Sequence, residues 1–137
     1  MKNRKLTIGV LITMFALSSV YNLFAFNDTF KSVSAQQAVQ DIKSGTANLV
    51  LDVRTPQEFH GPLGHIKGAK LIPVQELASR VSELESYREK AIYVVCRSGV
   101  RSKAAARFLT ENGFTTVINI DSGMSGVSQV AGAPTEK

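Results

Sequence analysis

Cysteine is almost absent from this chain: Cys96 is the only one in 137 residues. One thiol cannot form an intrachain disulfide, so no disulfide framework holds the fold. Only two histidines, His60 and His65, stand beside it, too few ligands for a structural zinc site. Nothing in the sequence points to a metal or a cofactor. A lasting excess of charge is missing too. Lys2, Arg4 and Lys5 account for most of the net charge of +5. Without those three, thirteen cations face eleven acids and +2 remains, so the basic balance does not indicate nucleic acid. There is no internal repeat and no low-complexity segment. What remains, 44% hydrophobic and 20% charged, is ordinary globular material, long enough for one domain with a real core.

The N-terminus stands apart. Behind Lys2, Arg4 and Lys5 runs a mostly apolar stretch, Leu6 to Val20. A positive start followed by an apolar run is the shape of a secretory signal. The near-apolar stretch to Phe26 is also about the ~20 residues that span a bilayer. Residues 1–25 therefore read as a signal peptide or as an N-terminal membrane anchor, and residues 26–137 as the domain. Ser18, Ser19 and Asn22 interrupt the run and favour the cleaved signal. Either reading exports the domain to the periplasm, on the second reading anchored to the inner membrane. No cysteine lies in this stretch, which excludes a lipoprotein anchor.

From Thr29 onward strands and helices alternate. Thr29 to Val33 reads as a short edge strand. Ser34 caps a helix carrying Ala35, Ala38, Val39 and Ile42, which ends at Gly45. Leu49 to Val53 is a buried strand. Thr55 and Pro56 open a short helical turn. Ala69 to Ile72 is a strand stopped by Pro73, and Leu77, Ala78, Val81 and Leu84 mark an amphipathic helix. Thr115 to Ile120 is the last strand, one helical turn falls within Gly123 to Val130, and the polar tail reads as frayed. Alternation of this kind predicts an α/β fold, a parallel sheet with helices on both faces, whose ligands bind at the carboxyl ends of the strands.

Cys96 lies at such an end. Ala91 to Val95 is an apolar, β-branched run, and the Ala-rich stretch from Ser102 to Leu109 is a helix. The loop between them, Cys96-Arg97-Ser98-Gly99-Val100-Arg101, opens onto a helix N-terminus, where unpaired amides favour an anion. A thiol there is drawn toward thiolate, the nucleophilic form. Gly99 lets the backbone curl tightly. Arg97 and Arg101 add positive charge to the same loop and offer partners for an oxyanion.

Four blocks in order carry a resemblance: LDVRTPQEF (Leu51 to Phe59), GHIKGAKLIP (Gly64 to Pro73), VVCRSGVRS (Val94 to Ser102) and INIDSGM (Ile118 to Met124). They resemble a single-domain rhodanese, a thiosulfate sulfurtransferase-like protein, over about Ser32 to Pro134. With the N-terminal signal, the chain is similar to the small periplasmic rhodaneses of the phage-shock type. The resemblance implies a five-stranded parallel sheet between helices. It also implies an enzyme without cofactor or metal, in which Cys96 takes a sulfane sulfur from thiosulfate or a persulfide donor. The sulfur is held as a persulfide and passed to an acceptor, a thiol or cyanide. On this view Arg97, Ser98, Gly99, Val100 and Arg101 form the substrate-binding loop. The partners are a small sulfur-bearing anion and a thiophilic acceptor, with no nucleic acid, and a membrane only through the N-terminal anchor. Asp52, Arg54, Glu58 and His65 read as structural support.

Two rivals share this pattern. A rhodanese-like persulfide carrier or binding module serving a partner protein would have the same sequence. A cysteine phosphatase would need five residues between Cys and Arg. Here four separate Cys96 from Arg101, Ser102 stands at the phosphatase arginine position, and Val95 stands where His is common. Two departures from the resemblance fall after Cys96. Ser122 occupies a position where a second Gly is common, and Val127 lies near the place of a frequent Trp.

Deleting residues 1–25 should leave a soluble, active protein, because no core position is expected there. Fractionation of cells making the full chain should recover it in the periplasm or on the outer face of the inner membrane. Recovery as an unprocessed cytoplasmic protein would overturn the export reading.

Overall fold

Alternation within the buried strands organises the fold. In the run from Leu49 to Val53, Leu49, Leu51 and Val53 join one apolar cluster and Val50 joins another on the opposite side of the sheet. Ile92, Val94 and Cys96 follow the first set, Tyr93 and Val95 the second. Successive strand residues point to opposite faces, so a strand apolar at every position must be covered on both. The computed structural model describes residues 29–137. Residues 1–25, read above as a signal or an anchor, lie outside the described residues. Among the described residues no helix is long and apolar enough to cross a membrane.

Five parallel strands form the central sheet: β1 (Lys31–Val33), β2 (Leu49–Asp52), β4 (Lys70–Leu71), β5 (Ala91–Val95) and β6 (Thr116–Ile120). Their spatial order is β1-β6-β5-β2-β4. On one face lies α4 (Val100–Glu111) with Leu77, Leu84 and Phe114. On the other lie α1 (Ala35–Lys43) and α5 (Gly123–Val127). The expected α/β class and five-stranded parallel sheet are therefore present. Ser34 caps α1, its side chain accepting from the Gln37 amide. Thr55 opens α2 (Pro56–Phe59) with a reciprocal cap: its hydroxyl accepts from the Glu58 amide, and Glu58 accepts from the Thr55 amide.

The structure departs from the sequence reading in two places. The segment expected as one amphipathic helix is a single turn, α3 (Leu77–Arg80), followed by a 3-10 helix over Val81–Tyr87. A 3-10 helix repeats every three residues. Val81, Leu84 and Tyr87, spaced by three, all pack on the core. The Arg80–Glu83 and Glu85–Arg88 ion pairs have the same spacing. The tail expected to fray is instead strand β7 (Thr135–Glu136), antiparallel to β3 (His65–Ile66). Glu136 also reaches His65, Oε1 to Nε2 at 3.3 Å.

At the carboxyl end of β2, Asp52 and Arg54 form a buried ion pair, 0% and 1% exposed, with Nη2 donating to Oδ2 at 2.7 Å. Asp52 Oδ1 also accepts the Arg54 amide at 3.0 Å. The guanidinium spends its other donors on the carbonyls of Glu58 (3.1 Å) and Gly64 (2.8 Å). Arg54 thereby ties β2 to α2 and to the loop before β3. Leaving one buried charge without its partner costs about 3–5 kcal/mol. Arg54→Met should lose that much by urea unfolding at neutral pH. A loss no larger than that of an average surface substitution would show that the pair does not hold these segments together.

Candidate active site around Cys96

Cys96 follows the last residue of β5 and is 1% exposed, the only cysteine and a free thiol. Strand parity turns its side chain to the α4 side of the sheet, with Ile92 and Val94. The chain then needs only Arg97, Ser98 and Gly99 to reach α4. Gly99 caps that helix at φ +100°, a conformation that L side chains rarely adopt. A Cβ at this position would overlap the Asp121 carbonyl oxygen. The Gly99 amide donates to Cys96 Sγ at 3.1 Å.

The loop carbonyls are held elsewhere. The Met124 amide donates to the Cys96 carbonyl at 2.8 Å, and the Ser125 amide to the Arg97 carbonyl at 3.0 Å. Both donors belong to the first turn of α5, whose opening amides lack partners inside the helix. Gly123, at φ +54°, allows that approach, since a Cβ there would overlap the Cys96 and Arg97 backbones.

On α4, Ser102, Ala105, Ala106 and Leu109 share one buried face at helical spacing. Ser102 is its polar member and sits 3.4 Å from Cys96 Sγ through Oγ. Burial, the largest single influence, pushes the Cys96 thiol up. The Ser102 hydroxyl and the amides of Ser102, Gly99 and Ser98 pull it down and prevail, so the thiol ionises below its ordinary value.

The helix N-terminus supplies this activation, as expected, while the two loop arginines expected to assist it do not lead it. Arg97 is exposed. Arg101 is clamped by Glu58: Nη1 donates to Oε2 at 2.8 Å and Nη2 to Oε1 at 2.7 Å. The carboxylate offsets the Arg101 charge, so amides and one hydroxyl lower the thiol instead. Ser98 is exposed at the loop surface, and Val100 is 75% exposed on its rim. The residues read as structural support are bound to one another and to nearby backbone. Asp52 and Arg54 pair as described, and the His65 Nδ1 lies 2.9 Å from the Phe59 carbonyl with the ring stacked on Phe59. Ser102 and Asn119 are the polar neighbours that the sequence reading left unassigned. Ser102 completes the face of Ala105, Ala106 and Leu109, and Asn119 is a polar residue inside the buried run Val117 to Ile120.

A thiol at the floor of an amide-lined loop, at the carboxyl end of a central parallel strand, defines a class: α/β domains with an activated thiol in a strand-to-helix loop. The comparisons narrow it. The family model of the rhodanese-like domain matches residues 34–129, and the chain belongs to that family. The thiosulfate sulfurtransferase GlpE of Pseudomonas aeruginosa is 32% identical over 97 residues, 71% of this chain and 83% of that protein. The putative sulfur carrier protein YrkF of Bacillus subtilis is 38% identical over 92 residues, 67% of this chain and 48% of that protein. The crystal structure of a rhodanese-related protein from Thermoplasma volcanium superposes with a TM-score of 0.66 at 33% identity, covering 78% of this chain and 98% of the other. The chain spans about half the length of the Bacillus subtilis relatives it matches.

Arg101 holds the Glu58 carboxyl down at about 2, below its ordinary value of 4.5. The ionised carboxylate thus stabilises the fold above the ordinary value, and the contribution fades as pH falls from 4.5 toward about 2. Glu58→Gln should cost on the order of 1 kcal/mol at neutral pH, the magnitude of a partly exposed charge pair. The gap between the two proteins should shrink in urea unfolding at about pH 3. An equal gap at both pH values would mean that the carboxylate charge contributes nothing.

Proposed function

We propose that this protein is a sulfurtransferase in which Cys96 carries the sulfur. The observation that carries the proposal is the buried Cys96 sulfur facing inward-turned amides while the loop carbonyls are bound elsewhere. Such a cradle suits a thiolate, an attacking anion and a persulfide anion in turn. Thiosulfate fits as donor. The Cys96 thiolate attacks the sulfane sulfur, a new S–S bond forms, and the bond to the sulfonate sulfur breaks. Sulfite leaves with that bond's electron pair, and Cys96 holds a persulfide anion. An acceptor thiolate then attacks the terminal sulfur and Cys96 departs as thiolate. The two steps are nucleophilic catalysis divided at a covalent intermediate, with no net redox change.

GlpE, named a thiosulfate sulfurtransferase, supports thiosulfate as donor. YrkF, named a putative sulfur carrier, supports a second reading in which the persulfide goes to one partner protein. The acceptor separates the two. Arg97 on the exposed loop, which among the described residues has no such clamp as the one Glu58 puts on Arg101, provides the positive charge at the rim that would draw an anionic donor. The N-terminal apolar run behind Lys2, Arg4 and Lys5 supports a site of action outside the cytoplasm, with the N-terminus as the one contact with a membrane.

Incubation with thiosulfate should raise the intact mass by one sulfur, located on Cys96 by peptide mapping. Cys96→Ser should show no gain and no thiosulfate:cyanide transfer while keeping the wild-type circular dichroism. Transfer retained in that variant would sink the persulfide mechanism. Discharge by cyanide and small thiols favours the enzyme, whereas discharge only by a protein thiol favours the carrier.

A further inference from the structure

Asn119 lies in β6, is 0% exposed, and has no part in the steps above. Its Nδ2 is 3.2 Å from Asp121 Oδ1 and 3.3 Å from Ser32 Oγ. An ionised carboxylate only accepts hydrogen bonds, so the NH₂ end of the amide must face Asp121. The other end, Oδ1, then faces Ser102 Oγ at 2.6 Å. Ser102 has one proton to give and three acceptors within reach: Asn119 Oδ1 at 2.6 Å, the Gly99 carbonyl at 3.1 Å and Cys96 Sγ at 3.4 Å.

We infer that Asn119 is a positioning residue that competes with the Cys96 sulfur for the single Ser102 proton. While the sulfur is a neutral thiol, the shortest contact wins and the Ser102 proton points at Asn119. The Ser102 lone pairs are then free to accept from the thiol. When the sulfur is a thiolate, a charge-assisted bond draws the proton to Sγ. Asn119 Oδ1 then loses its buried donor, which is costly. Asn119 therefore restrains the ionisation that Ser102 promotes. On the sulfur-transfer reading, the exchange would repeat in every cycle. Charge leaves Sγ for the terminal sulfur when the persulfide forms, and the hydroxyl returns to Asn119, leaving the outer sulfur to the loop amides.

The charged groups around Cys96 come from every neighbouring element. They are Asp52 and Arg54 at the end of β2, Glu58 of α2 through Arg101, Arg101 and Lys103 of α4, Arg97 of the loop, and Asp121 after β6. All are retained in the variants below, so comparing Asn119 substitutions with and without Ser102 isolates the hydroxyl.

The experiment is the rate of Cys96 alkylation by iodoacetamide against pH, using the full chain. Asn119→Leu removes the competing acceptor and should lower the midpoint by about 0.5–1 pH unit, the scale of one hydrogen bond. Ser102→Ala should raise it. Asn119→Leu placed in the Ser102→Ala background should leave the midpoint where Ser102→Ala puts it. A shift of equal size with and without Ser102, or none in the wild-type background, overturns the proposal. Should Asn119→Leu fail to fold, Asn119→Asp supplies a stronger acceptor in the same place. Its upward shift should be larger with Ser102 than without it, and equal shifts overturn the proposal. Alkylation uses no sulfur donor. Failure of the protein to gain sulfur from thiosulfate would therefore count against the transfer reading and leave this one to its own test.

Discussion

The site depends on where the backbone of one loop sends its carbonyls. Each peptide unit carries a donor and an acceptor pointing opposite ways, so inward amides require outward carbonyls with partners of their own. The Cys96 and Arg97 carbonyls find theirs on Met124 and Ser125, in the first turn of α5. That turn would otherwise leave its own amides open. One contact thus satisfies two deficits, and it presses the backbones at 96–97 and at 123 too close for a side chain at Gly123. At Gly99 the same argument runs against the Asp121 carbonyl. The Cys96 loop and the β6–α5 connection are therefore shaped by each other.

The charges around this loop are arranged in two tiers. Arg54 and Asp52 are buried, and their energy lies in the cost of separating them. Arg54 also holds the Glu58 carbonyl, which fixes α2. From α2 the Glu58 side chain, braced by Thr55, reaches across to Arg101 on α4. A buried pair thereby sets where a half-buried pair can form. Arg101 reaches the cradle with its charge largely offset, so the thiol relies on short-range hydrogen bonds rather than on a strong local field.

Local patterns in the chain revealed the parts of the fold that depend on neighbours in sequence. The strands at 49–52, one residue shorter than read, and 91–95, the Ser34 cap and the Thr55-Pro56 start all appear in the structure. The Cys96 loop was equally legible, since strand, glycine and helix follow one another without a gap. Contacts between distant residues left no such trace. Two-residue strands such as β3 and β7 have no periodicity to display, and their pairing is visible only in three dimensions. Glu58 and Arg101 are each ordinary surface charges until the fold brings them together. The 3-10 stretch did leave a signal, the spacing of 81, 84 and 87, but Leu77, Val81 and Leu84 fit a heptad-like α-helical spacing just as well.

The sheet order has a consequence for how the chain assembles. β1 finds its partner in β6, with Lys31 beside Ile118, so the first strand of the sheet in sequence pairs only with the last. None of the five strands is joined to its neighbour by a hairpin, because every pairing in this sheet is parallel. Loop closure must therefore precede most of the stabilising contacts, the circumstance that slows folding in general. A chain emerging from the ribosome can form α1 early, but its β1 edge stays unmatched until residues past 116 are free. Completion of the sheet thereby waits for β6, and the β1 side of the core stays open until that strand is made.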